Sequence, residues 1–93
     1  MTTKGSPNLD CMPESELYAF AADTRGVSPR RVAAQLFGTQ TRASVRAVRD
    51  LRNYAWNKIT AMQCRLRGDI ERATYYEAIC DRIYDGLPAF ARW

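Results

Sequence analysis

The chain has no histidine, and that absence alone removes most of the chemistry open to a small protein. Imidazole general bases, Ser-His and Cys-His pairs and imidazole metal ligands are all ruled out. Cysteine is scarce: Cys11, Cys64 and Cys80 stand 53 and 16 residues apart. An odd count at those spacings is neither a disulfide framework nor a CxxC metal or redox signature, so reduced, structural thiols are expected. No GxGxxG or GxxxxGK[ST] occurs, which leaves no nucleotide phosphate cradle. Gly and Pro together number nine of 93, too few for a low-complexity chain. No apolar run approaches the ~18 residues of a membrane span. The opening Met1-Thr2-Thr3-Lys4-Gly5-Ser6-Pro7 lacks the apolar stretch of a signal peptide, which predicts a cytoplasmic address. The ten carboxylates are scattered over positions that suit helix caps and solvated faces. Neither an enzyme, nor a cofactor, nor a metal is expected.

What is present, 46% apolar and 26% charged residues, fits one small domain. Residues 1–10 read as a flexible N-terminal arm and 11–93 as a single helical domain. The net charge of +4 is unevenly spread. Residues 29–72 hold ten basic side chains against three acids, while the two ends hold four against seven. Twelve of the 14 basic residues are arginine, the side chain suited to bidentate recognition of phosphate or carboxylate. A basic middle between acidic ends points to nucleic acid or an acidic protein surface as partner.

Helix punctuation is dense. Pro13 suits a first helical turn, Glu14 and Glu16 suit a positive helix end, and Leu17, Phe20, Ala21 and Thr24 recur at helical spacing before Gly26. Ser28-Pro29 opens a second helix with Val32, Leu36 and Phe37 as its apolar stripe, and Gly38 stops it. Thr41 caps a third segment that has neither Gly nor Pro from Arg42 to Arg67. Its apolar stripe runs through Val45, Val48, Ala55, Ile59, Met62 and Leu66, with a gap at Arg52. Leu51 and Trp56 widen that face. After Gly68, Asp69 caps a fourth helix carrying Ala73, Tyr76, Cys80, Ile83 and Leu87, and Gly86-Leu87-Pro88 ends it.

The fold class is therefore all-α. Four helices are predicted near 13–25, 28–37, 41–67 and 69–85, the last two forming an antiparallel hairpin whose longer member is capped at one end by the two short helices. Left-handed turns are expected at Gly26 and Gly86. Folding about Gly68 should set Trp56 opposite Cys80 and Tyr84, and the tail residues Phe90 and Trp93 should dock on Tyr54, Trp56 or Tyr84. Among the aromatics, Tyr75 falls outside its helix's stripe and is the candidate for an exposed partner contact.

Three resemblances accompany these patterns. Leu66-Arg67-Gly68-Asp69-Ile70-Glu71-Arg72-Ala73, with Tyr75-Tyr76 and Pro88, resembles the turn, aromatic pair and closing proline of a tetratricopeptide repeat. Because a solenoid needs several repeats and one unit is present, the resemblance implies a helical hairpin and no peptide-binding array. Val32-Ala33-Ala34-Gln35-Leu36-Phe37-Gly38 and Thr41-Arg42-Ala43-Ser44-Val45-Arg46-Ala47-Val48 resemble a DNA-binding helix-turn-helix, although Gly38 to Val45 is one residue longer than that pattern. The C-terminal half, including Asp50-Leu51-Arg52-Asn53-Tyr54-Ala55-Trp56-Asn57-Lys58, resembles small bacteriophage and prophage open reading frames. That likeness implies an accessory protein in host cytoplasm and transfers no activity.

Arg42, Arg46, Arg49 and Asn53 follow i, i+4, i+7, i+11 on one helical face, and Arg30 and Arg31 open the preceding helix. With Arg52 they form the candidate nucleic-acid-binding set, able to follow a phosphate backbone. The same row also reads as a solvated face in which Arg46 and Arg49 pair with Asp50. Asp81, Arg82 and Asp85 read as salt-bridging residues, among themselves or with Arg52 and Lys58. The function expected is a non-enzymatic accessory binding protein for nucleic acid. A protein-binding adaptor or inhibitor, acting on a host or virion protein through the basic surface or the aromatic tail, is the alternative, and a self-assembling homo-oligomer is a third.

Overall fold

The computed structural model describes residues 14–92. The proposed arm, Cys11, Pro13 and Trp93 lie outside the described residues. Within them run α1 (Glu14–Asp23), α2 (Pro29–Phe37), α3 (Arg42–Leu66), α4 (Ile70–Asp85) and a short 3-10 turn at Ala89–Ala91, with no strand. The helices begin where local side-chain chemistry satisfies their first N–H groups. Ser28 accepts from the Arg31 amide, Thr41 from the Ser44 amide and Asp69 from the Arg72 amide, at 3.4, 3.1 and 3.2 Å. Gly38 ends α2 in the left-handed region, at φ 72°. Gly68, at φ 83°, closes α3: the Asp69 amide donates to Cys64 O at 2.8 Å and the Gly68 amide to Arg65 O at 3.0 Å.

Two glycines depart from expectation. Neither Gly26 nor Gly86 has positive φ; Gly86 lies at −87°. The end of α1 is set instead by Thr24, whose hydroxyl donates to Phe20 O at 2.8 Å.

α3 is the spine, and α1, α2 and α4 all pack on it. Leu17 and Ala21 of α1, Leu51, Tyr54, Ala55 and Ile59 of α3, Cys80 of α4 and Leu87 form one core cluster. Val32 and Ala33 of α2 close over Val48 in a smaller one. The α3–α4 hairpin is antiparallel: Cys80 Sγ donates to Tyr54 O at 3.7 Å, and Arg65 meets Glu77 nearer the tip. Tyr54 lies ten residues from Cys64 on α3, about 15 Å at ~1.5 Å per residue. The buried thiols of Cys64 and Cys80 are thus too far apart to bridge. Leu66, last in the expected stripe, is 79% exposed at the tip.

α3 has 25 residues and α4 has 16, so α3 overhangs its partner at its N-terminal end. α2 covers one side of that overhang. α1 does not join it there: Thr24 at its end meets Arg52 while Tyr18 packs on Trp56, so α1 runs antiparallel along the middle of α3. Trp56 accordingly faces α1, with Tyr18 edge-on at 5.5 Å and the Arg25 guanidinium over its ring at 5.4 Å. It stands two residues, about 200° of helix rotation, from Tyr54, whose carbonyl oxygen takes the α4 thiol of Cys80. The tail also docks differently. Leu87 and Ala91 are buried, whereas Phe90 stays 45% exposed with its edge on Phe37 of α2 at 5.1 Å. Arg92 is the tail residue over Tyr84, at 5.6 Å, and it donates to Asp85 O and Leu87 O.

Candidate nucleic-acid interface

The turn between α2 and α3 is fixed from inside. Ser44 is fully buried, and its Oγ lies 2.9 Å from Thr41 O and 3.1 Å from Thr39 O, which holds the first turn of α3 against the connection. Because Ala47, Val48, Leu51 and Ala55 face the core, Arg42, Arg46, Arg49 and Asn53 are all exposed. Arg30, in the first turn of α2, comes alongside them. Arg30, Arg42, Arg46 and Arg49, with Gln40 and Val45, line an open concavity of about 610 Å³ that no carboxylate enters. None of these four arginines forms an ion pair among the described residues, and the Asp50 pairing does not form.

The placement of charge along the helices adds to this. α1 and α4 carry acids in their first turns, Glu14 and Glu16 in one and Glu71 in the other, as the positive end of a helix dipole favours. α2 and α3 carry none there. Arg30, Arg31 and Arg42 stand at those positive ends instead, where a cation is repelled and an anion is attracted.

Two members of the sequence-derived set stand apart. Arg31 is exposed but does not line the concavity. Arg52 turns inward: its Nε donates to Thr24 Oγ1 at 3.1 Å, and its Nη2 donates to Thr24 O and, at 2.7 Å, to Val27 O. Burial, and then the nearby Arg49 charge, lower its pKa from the ordinary arginine value. Its guanidinium ties the α1–α2 connection to α3 and is not offered to a ligand.

A second concavity, of about 800 Å³, lies across the Arg42–Arg46 ridge, between the start of α3 and the end of α4. Arg82 stands on it with Arg42 and Arg46. Asp81, Arg82 and Asp85 form no ion pair among the described residues; the pairs found are Arg65–Glu77 at 2.7 Å and Arg72–Asp69 at 3.7 Å. Tyr75 is 63% exposed, edge-on to Tyr76 at 5.2 Å. Its level on α4 corresponds to about Ile59 of α3, roughly 15 Å along that helix from Arg49 at ~1.5 Å per residue, so it does not join the arginines. No group of three Cys, Asp or Glu able to hold a metal occurs among the described residues, and none of their helices is long and apolar enough to cross a membrane. No protein-family model, curated protein or solved structure matches the chain.

Proposed function

We propose that the protein is a non-enzymatic accessory protein that binds nucleic acid, gripping the phosphate backbone with Arg30, Arg42, Arg46 and Arg49. The observation that carries this reading is the convergence of four guanidinium groups from two helices on one concavity without a carboxylate. Phosphate contacts of this kind release counterions, so binding must weaken steeply with salt. Four contacts give a slope of log K against log salt of about −3.6 on duplex, a loss of roughly 100-fold between 50 and 200 mM. Fluorescence anisotropy on labelled duplex and single-stranded oligonucleotides measures this slope, and Arg42→Glu with Arg46→Glu should abolish binding. A flat salt dependence, or full affinity in that double variant, rules the reading out.

A further inference from the structure

We infer that the second concavity is a docking groove for an acidic amphipathic segment of another protein, and that its occupancy withdraws Arg42 and Arg46 from the first. α4 ends about two turns before α3 begins; the tail from Leu87 to Ala91 covers part of the overhang, and the groove lies beside it, between the start of α3 and the end of α4. Ala43, a small exposed side chain on α3 with the buried Ala47 one turn below it, lets another backbone pass closely over the helix. Ile83 and Pro88 supply apolar wall, and Ile83 is only half-buried. Arg42, Arg46 and Arg82 stand on the groove, none engaged in an ion pair among the described residues, against the single carboxylate Asp50. That balance of charge selects a carboxylate-bearing occupant, and Ala43 with the apolar wall selects one with a small apolar face.

The two concavities can be addressed separately. Ala43 and Arg82 belong to the groove alone, Arg30 and Arg49 to the first concavity alone, and Arg42 and Arg46 to both. Partner and nucleic acid therefore compete for the same two guanidinium groups, and by linkage each weakens the other.

The test titrates the full chain with a fluorescein-labelled peptide bearing leucine or alanine at helical spacing and glutamate elsewhere, beside a polyglutamate of equal charge. The amphipathic peptide should bind at least tenfold more tightly than polyglutamate. Arg82→Glu and Ala43→Gln, both at exposed positions, should each weaken it at least tenfold while Arg30→Gln leaves it unchanged. Circular dichroism melts establish that each variant is folded. Where an oligonucleotide binds, the peptide should displace it, and Arg82→Glu and Ala43→Gln should retain oligonucleotide affinity. Equal binding of the two peptides, or indifference to both groove variants, overturns the inference. Loss of oligonucleotide affinity in both groove variants also overturns it, assigning the groove to nucleic acid. The peptide titration reads the groove even if no oligonucleotide binds, so failure here is distinct from failure of the proposed function.

Discussion

Replacing Arg52 with Met keeps the length and apolar stem of the side chain and removes only its donors. In the native chain those donors serve three acceptors on the α1–α2 connection: Thr24 Oγ1, Thr24 O and Val27 O. A hydrogen bond to a charged group contributes about 1.5–3 kcal/mol, but water reaches this half-buried site and replaces part of what is lost. The net loss should therefore be about 2–3 kcal/mol, not the sum of three bonds. For a chain of 93 residues, at ~4–8 °C per kcal/mol, Tm should fall by about 10–20 °C. Arg52→Lys retains the charge but not the fork, and it should lie between wild type and Arg52→Met. Urea denaturation followed by circular dichroism gives both values. A loss below ~0.5 kcal/mol for Arg52→Met would refute the assignment of Arg52 as a clamp. Oligonucleotide affinity should be unchanged in the folded variant, because the guanidinium is already committed.

Gly86→Ala should be neutral or stabilising by up to ~1 kcal/mol, since φ is −87° and a Cβ would meet Ile83 O at 3.6 Å and Arg82 O at 3.7 Å, both ordinary contact distances; Gly38→Ala, at φ 72°, should cost about 1–2 kcal/mol in the same urea titration. Ile59→Ala, at a position 3% exposed, should cost about 2–5 kcal/mol, and Ile83→Ala clearly less because Ile83 is half-buried. The hydrogen-bonded Arg65 guanidinium holds the Glu77 carboxyl below its ordinary pKa, so the pair stabilises the fold above the unfolded carboxyl pKa, and that contribution is lost as pH falls through the lower, folded one. The Tm difference between wild type and Glu77→Gln should accordingly be present at neutral pH and vanish once the medium is well below about pH 4. Arg46→Gln should leave Tm unchanged or raise it at low salt while weakening oligonucleotide binding; a lowered Tm would show Arg46 to be a structural residue.

Helix boundaries were legible because capping is local chemistry. Ser28-Pro29, Thr41 and Asp69 each act within three residues of sequence, and each caps the helix it announces. The interruption of the α3 stripe at Arg52 was a visible signal as well, marking the place where a cation takes a core-facing position to bond backbone carbonyls. Long-range placement was not legible. Whether Tyr54 or Trp56 faces α4 depends on a helix rotation that an apolar run on two sides of α3 leaves open. Gly86 carries the composition of a left-handed stop, yet the chain leaves α4 through ordinary backbone followed by Leu87. The membership of Arg82 in the second concavity depends on the register of the hairpin, and no residue pair in the sequence states that register.

The distribution of charge separates the stable part of the fold from its proposed binding surface. Where helix ends serve only the fold, as in α1 and α4, the chain places acids at the positive pole. In α2 and α3 it forgoes that stabilisation, ~0.3–1 kcal/mol per favourable charge, and sets arginines there. Two of these, Arg30 and Arg42, it gathers with Arg46 and Arg49 around one concavity that no carboxylate lines, so each repels the others at low salt. A surface under no demand but solubility would intersperse the signs, as the Arg65–Glu77 pair does at the other end of α3. Local choices that oppose the fold are retained where something outside the fold compensates them. Under the proposed function a bound polyanion would supply that compensation, relieving both the mutual repulsion of the guanidinium groups and the placement of Arg30 and Arg42 on the helix dipoles. Arg52 marks the limit of the cluster: three residues past Arg49, the same residue type is drawn inward, bonded on two carbonyls and a hydroxyl, and serves the fold instead.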